Sequence, residues 1–575
     1  MRWLLEDTGN PAVLTPERLD DDHRLIGRTA DEFVDNEVLP LLDRLEQKDW
    51  SLARSLIRRS GELGLLGTDV PEHLGGVGLD RAAALVVGES AGRCASFATT
   101  FGAQTGLAVT PLLCFGSENQ KRQYVPRLVS GELIGAYALS ESGSGSDALS
   151  AKTRAERKAD GGYVLNGEKM WITNGGFADV FIVFARLVDG AETGQFTAFI
   201  VERAFGGVSS GREEHKMGLH GSSTTPLTLQ DVSVPAGNVL GQPGKGHKVA
   251  FNVLNYGRFK LAAMCSGGAR RVIGQAAAYA TERRQFGRPI ASFGAIRHKL
   301  AEMVIREYAA EAMLYRVAGL LDDALKGAHE GPTVVAALEE LAIEASIVKV
   351  ASSEMLDFVV DENVQIHGGN GFVRDYPAER QYRDARVNRI FEGTNEINRL
   401  LIPGMLARRA AKGELPVLEV ARILRDELMT ATATEPGAAA PLDGARRAVA
   451  AMKSAALMVL ASALEVHGEG LSDEQEVLSR AADIIIDVFA SESVVFRAIA
   501  AGSALHEASA CVFVNDAAAR VSVIARDALA AMRQGEDLRV ALGALERLMK
   551  TVPINTVDLR RRLADAIVRR RMYPF

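Results

Sequence analysis

Four cysteines in 575 residues, Cys94, Cys114, Cys265 and Cys511, stand far apart and form no CxxC pair. That spacing excludes a disulfide framework or a cysteine-based zinc site as the organising feature. The ten histidines show no paired metal spacing, so His220 and His367 read as loop or core residues and no metal is expected. Positive charge is also short. Lys and Arg number 66 against 73 Asp and Glu, a formal net charge of −7, which leaves no domain-wide basic field for nucleic acid. Long apolar runs are scarce: the longest candidate, Ala455 to Leu464, lies between Lys453 and Glu465 and falls short of the roughly 20 residues that cross a bilayer. The first 22 residues carry several acids and no signal-like apolar run, so a cytoplasmic location is expected.

What is present is ordinary globular material, 47% hydrophobic and 24% charged, in a chain long enough for three or four domains. Thr15-Pro16 suits a helix start, the hydroxyl capping free N–H groups and the proline sitting in the first turn. Phe33, Val34, Val38, Leu41, Leu42 and Leu45 recur at helical spacing and the pattern resumes from Leu52 to Leu63, so residues 15–135 read as an all-helical domain. Over 136–246 the period falls to two: Val180, Ile182 and Phe184, then Phe196, Ala198 and Ile200, then Leu227 and Leu229 alternate between glycine-rich turns, which is a β domain. Helical periodicity returns over 247–412 as a bundle. Residues 413–443, with Pro436 and Pro441, read as a linker region, and 444–575 as a further helical domain. The fold class expected is multidomain, mainly α, with a central β domain.

Several segments carry chemistry. Ser140-Glu141-Ser142-Gly143-Ser144-Gly145-Ser146-Asp147 is a small-residue loop able to offer N–H groups and hydroxyls to a polar ligand, or to remain a solvated loop; it lacks the Rossmann and phosphate-loop fingerprints. Trp171 and Thr173 place an aromatic face and a hydroxyl two residues apart at a strand end, unless Trp171 is a core residue. Phe391-Glu392-Gly393-Thr394 sets one carboxylate beside a flexible glycine.

Taken in order, the Ser-rich loop, Trp171-Ile172-Thr173-Asn174-Gly175-Gly176, Lys216-Met217-Gly218, Asp231 to Pro235, Asn255 to Phe259, Glu282 to Gly287, Gln365 to Phe372, Arg383-Asp384 and Phe391 to Thr394 resemble the acyl-CoA dehydrogenase family over nearly the whole chain. Val201 to Gly207 and the appended carboxy-terminal unit are similar to its very-long-chain branch. Ser142 and Gly294 depart from the usual proline and glutamine.

The resemblance implies the family's α domain, β domain and four-helix bundle, plus an extra helical domain. It implies bound FAD, contacted at the ring by Tyr137, Leu139, Ser140, Trp171 and Thr173. Across a homodimer interface the adenine and pyrophosphate half would meet Arg283, Phe286, Gln365 and Gly369 of one subunit and Thr394 and Glu396 of the other. Arg283 would supply charge, a bundle salt bridge being its alternative. Glu392 is the implied catalytic base, its pKa raised by apolar surroundings; Gly393 lets the backbone approach. Some relatives carry the base immediately before the arginine matching Arg258, a position that is Gly257 here. Ser146 falls toward the pantetheine and Arg258 near the base, while Gly102, Ala103 and Gly106 would leave a deep slot for a long-chain fatty acyl-CoA. The implied reaction is α,β-dehydrogenation to the trans-2-enoyl-CoA in β-oxidation, with electrons passing to an electron-transfer flavoprotein; an oxygen-using oxidase and a non-catalytic scaffold are the alternatives. Leu457, Leu460, Ala461 and Leu464, with Arg446, Arg447 and Lys453 upstream, and the clusters Arg560 to Arg562 and Arg569 to Arg571, are either a packed helix with solvated charges or a peripheral contact for anionic lipid.

Overall fold

The computed structural model describes residues 2–6, 12–188, 194–430 and 441–575. Its first unit is helical: α1 (Asp21–Phe33), α2 (Leu42–Glu46), α3 (Trp50–Glu62), α4 (Arg81–Gly92), α5 (Ala95–Gly102), α6 (Thr110–Phe115) and α7 (Glu118–Val129), with a π-helical stretch, Ala103–Val109, running from α5 into α6. Local chemistry sets several starts. Asp20, Asp49 and Asp80 each accept a hydrogen bond from a first-turn N–H of α1, α3 and α4, and Ser117 with Gln120 forms a reciprocal capping box on α7. Thr15 does not cap. Its hydroxyl is buried without a partner, Pro16–Arg18 is a single 3-10 turn, and the first α-helix begins only at Asp21.

The β domain is one sheet of β1 (Gly135–Ala138), β2 (Arg154–Arg157), β3 (Tyr163–Thr173), β4 (Val180–Leu187), β5 (Phe196–Glu202), β6 (Val208–Ser210), β7 (Thr224–Val234) and β8 (Val239–Leu240), in the order β6-β7-β3-β2-β4-β5-β8 with β1 also pairing to β4. β4 runs parallel to β1 and β2 and antiparallel to β5. Covered on both faces, it reads as the near-continuous apolar run Val-Phe-Ile-Val-Phe-Ala. Its ladder fixes β1, which leads into the Ser-rich loop. β3 pairs with β7 in a register that shifts between Lys169 and Ile172; the irregularity puts Trp171 at a φ of +56° and turns it out of the sheet.

The bundle contains α8 (Gly246–Glu282), a hairpin of β9 (Arg284–Gln285) and β10 (Arg288–Pro289), then α9 (Gly294–Leu325), α10 (Pro332–Glu340), α11 (Ala342–His367), α12 (Pro377–Ala385) and α13 (Asn395–Ala411). The stretch expected as linker contains a helix, α14 (Val417–Thr430), entered through buried Leu415 and Val417; residues 431–440 of that expectation lie outside the described residues. α15 (Pro441–His467), α16 (Gln475–Ala501), α17 (Ala504–Met532), α18 (Gly535–Leu548) and α19 (Thr556–Arg570) complete the chain.

α15 to α18 share one apolar core with α9, α11 and α13, while α19 packs through Leu563 and Ile567 against residues of α8, α9 and α11. Buried ion pairs cross the junction: Arg316 to Glu492 at 2.7 Å and Arg497 to Glu311 at 2.6 Å. Residues ahead of Thr15 join too, Trp3 packing at a tilt against Phe489 at 4.8 Å and donating to Glu344 at 3.1 Å. Leu457, Leu460 and Ala461 are buried in this core, Lys453 pairs with Glu492, Arg560 with Glu302 and Asp516, Arg562 with Asp558, and Arg571 with Glu282. The apolar face considered for lipid therefore packs inward while Arg447, Arg561, Arg562 and Arg569 to Arg571 stay exposed, and membrane contact gains no support. By composition the helical stretches Leu442–Asp473 and Ala504–Met532 could cross a bilayer, yet 61% and 56% of their apolar windows are buried inside the protein.

Candidate active site

Glu392 and Gly393 occupy the turn before α13, at φ of +58° and +80°. Glycine adopts that region freely; glutamate there is strained and persists only if its surroundings hold it. They do. Arg258 Nε donates to the Glu392 carbonyl at 3.1 Å, Lys349 Nζ to the Gly393 carbonyl and Asn395 Oδ1 at 2.7 Å each, and Asn398 Nδ2 to the carbonyls of Gly393 and Thr394 at 2.9 and 3.0 Å. Thr394 caps α13 by accepting from Ile397 N–H.

With its backbone pinned, the Glu392 side chain is left open. Oε2 is buried and has no hydrogen-bond partner, and the Glu392 N–H donates to no group among the described residues. The carboxyl faces α8 where it carries no side chain: a Cβ on Gly257 would stand 2.7 Å from Oε2. Burial raises the Glu392 pKa to about 7, against the opposing charges of Arg258 and Lys349. Burial also lowers those two, Arg258 to about 10 and Lys349 to about 8. A carboxylate poised near neutrality with a free oxygen can take a proton from a weakly acidic carbon.

Opposite lies the β domain. Thr173, at the end of β3, lines the same cavity as Glu392 and Gly257. Tyr137 donates from its hydroxyl to the Ala250 carbonyl at 3.3 Å, the Ser140 carbonyl accepts from Met170 N–H, and Leu139 is buried. Trp171 is not a core residue: it is 57% exposed. Glu141 anchors the Ser-rich loop, accepting from Lys152 N–H, Thr153 N–H and the Thr153 hydroxyl and pairing with wholly buried Lys169 at 2.7 Å. Beyond this anchor Ser146 is exposed, and added Cβ atoms on Gly143 and Gly145 would meet nothing within 4 Å. An exposed indole, a neighbouring hydroxyl and an open glycine loop fit a flavin.

Arg283, Phe286, Gln365 and Gly369 gather elsewhere, at the end of the bundle where Tyr279 stacks on His367 at 4.0 Å and bonds its carbonyl at 3.2 Å. All four are exposed, Phe286 to 92%. Arg283 makes no ion pair among the described residues, so the bundle salt bridge is not what the guanidinium does. No hydrogen bond or ion pair links this group to Thr394 or exposed Glu396 within the described chain.

The cavity reaching in from Glu392 is walled by α5 and its π-helical continuation, α8, α11 and α12. Gly102 and Ala103 line it; Gly106 does not. A Cβ at Gly106 would lie 3.4 Å from Lys260 Cδ, and one at Gly102 2.8 Å from Met264 Cε, so long side chains of α8 fill much of the space the glycines vacate. Thr99 and Leu107, four residues to either side of Ala103 on the same face, also line the cavity and were missed by the sequence reading. It also missed Lys349, a lone lysine among Ile347, Val348 and Val350 of α11, a placement that signals a buried partner.

Acyl-CoA dehydrogenase family models match most of the chain: the N-terminal domain over residues 20–132, the middle domain over 136–232, the C-terminal domain over 244–406 and a second C-terminal domain over 451–547. A probable acyl-CoA dehydrogenase of Bacillus subtilis is 45% identical, covering 99% of this chain and 98% of the relative. The human mitochondrial very long-chain specific acyl-CoA dehydrogenase is 36% identical over 91% of this chain and 81% of its own. A crystal structure of an acyl-CoA dehydrogenase complexed with FAD from Bacillus anthracis superposes with a TM-score of 0.96 at 44% identity, covering 100% of this chain and 99% of the other.

Proposed function

This chain belongs to the acyl-CoA dehydrogenase family of FAD-dependent oxidoreductases, and from that premise we propose that it dehydrogenates long-chain fatty acyl-CoA with Glu392 as the catalytic base. The observation that carries this reading is the buried, partnerless Glu392 Oε2 at the mouth of an apolar cavity.

Glu392 takes the α proton of the thioester. Its free N–H offers a hydrogen bond to the thioester oxygen, where negative charge develops. Arg258 and Lys349 hold the turn through backbone carbonyls, leaving the carboxyl unbonded, and the apolar walls exclude water that would lower its basicity. FAD supplies the acceptor for the hydrogen leaving the β carbon with its electron pair; Tyr137, Leu139, Ser140, Trp171 and Thr173 would hold its ring.

Chain length follows from the cavity. From Gly257 to Arg271 its α8 wall spans about 21 Å at 1.5 Å per residue, of the order of an extended palmitoyl chain. Exposed Phe286, with Phe372 86% exposed nearby in sequence to Gly369, suits a homodimer that completes the FAD site through Arg283, Phe286, Gln365 and Gly369.

The test is anaerobic addition of palmitoyl-CoA to the flavin-loaded protein. The yellow colour should bleach and return on adding an electron-transfer flavoprotein; return with oxygen alone would make the protein an oxidase, and no bleaching would leave a scaffold. Glu392→Gln should keep its flavin and lose about 10²- to 10⁴-fold in kcat. A kcat/KM series peaking at butyryl- or hexanoyl-CoA would refute the long-chain assignment.

A further inference from the structure

The cavity does not end as an alkyl chain alone would require. Close approaches between its walls order it: Gly102 lies by Met264, and at the far end Arg271 Nη1 donates to the Arg93 carbonyl at 2.6 Å. Between Gly257 and that end the lining includes Ala98, Leu261, Met264, Leu356 and Val360. Then it turns cationic, with Arg93, Arg271 and Arg380 together.

Two of these guanidiniums are compensated. Arg93 pairs with Asp31 and Asp35, and Arg380 with Asp43 at 3.3 Å. Arg271 has only the Arg93 carbonyl and makes no ion pair among the described residues. Other groups facing this end form no ion pair with it among the described residues. Cys94 is buried with its thiol pushed up to about 11, and Asp384, raised to about 6 by burial, spends one oxygen on Leu219 N–H. Burial presses the Arg271 pKa below its ordinary value, helped by the charges of Arg93 and Arg380 and opposed by Cys94 and Asp35. A part-buried guanidinium without a counter-charge is costly, and its fork of N–H donors matches a carboxylate.

We propose that Arg271 binds a carboxylate at the far end of the acyl chain, making long-chain dicarboxylic acids, carried as their mono-CoA thioesters, a substrate class of this site. The inference rests on the acyl-CoA dehydrogenase reading above and deepens it. A structural role competes: Arg93 ends α4, and Arg271 bonds its carbonyl as a helix cap would.

The experiment compares kcat/KM for hexadecanedioyl-CoA and palmitoyl-CoA, equal in length, in wild type, Arg271→Met and Arg271→Lys holoenzymes. Wild type should favour the diacid by about 10- to 100-fold, the value of a charge-assisted hydrogen bond. Arg271→Met should erase that preference, the diacid-to-palmitoyl ratio of kcat/KM falling to about one or below, and Arg271→Lys should retain part of it. Palmitoyl-CoA turned over with the diacid rejected, or a diacid-to-palmitoyl ratio unmoved in Arg271→Met while Tm falls, overturns the proposal and leaves the cap. If neither thioester is turned over, the dehydrogenase reading itself fails.

Discussion

The Glu392 carboxyl and its two cationic neighbours govern how the site responds to pH. A base must be ionised to accept a proton, and burial holds this one near 7, so kcat/KM should rise with pH up to about 7 and level off above it. Below that value it should fall about tenfold per pH unit. Lys349 opposes burial, its charge favouring the carboxylate. Replacing it with methionine removes that charge, so the acidic limb of the kcat/KM profile should move to higher pH while kcat drops as the Gly393 turn loosens. A limb that stays in place in Lys349→Met would show that the lysine acts on the turn alone. At this scale much was readable beforehand: Glu392, Gly393, Arg258 and Thr173 carry the family pattern in sequence. Lys349 was not, because its role depends on α11 passing beneath a turn 43 residues further on, as its bonds to Gly393 and Asn395 show.

Among elements, β3 does most to place the flavin face. Its register shift turns Trp171 outward, and its buried Lys169 ties the strand to Glu141 in the Ser-rich loop at 2.7 Å. Burial alone would raise the Glu141 pKa, but Lys169 and the hydrogen bonds around it hold the carboxyl below its usual range. Lys169→Met should strand that carboxylate in the interior, costing about 3–5 kcal/mol. Flavin release on heating, followed by fluorescence, should then precede global unfolding. Period-two alternation revealed these strands in sequence, while the register shift depends on how β3 meets β7. Helical spacing likewise revealed α5 and α8, yet which small residues of α5 and its π-helical continuation face the cavity was decided by Met264 and Lys260 across from them. That is why Gly106 was a wrong choice and Thr99 an omission.

On the scale of the molecule, the carboxy-terminal helices act as part of the catalytic unit's core. Arg497, 1% exposed at its side chain, pairs with Glu311 of α9 and Glu17 near the amino terminus and lies over the Tyr308 ring at 4.3 Å. Arg497→Met should destabilise by about 3–5 kcal/mol, since Glu311 would lose a buried counter-charge. Thermal melts read by circular dichroism and by flavin fluorescence should fall together, because one core serves both ends. Separate transitions would mean that the carboxy-terminal unit folds independently.

Order of elements, a central β domain between helical ones, the family and the candidate for the base could be read from the chain itself, because periodicity and short motifs are local and survive without knowledge of neighbours. Packing decided the rest: the direction in which the Glu392 oxygen is left unbonded, the cavity's far end at Arg271, the burial of the helix once considered for lipid, and the merging of α15–α17 into the bundle core. Those features arise where segments distant in sequence exclude water from one another, and only the folded arrangement determines which charges are then left without a partner.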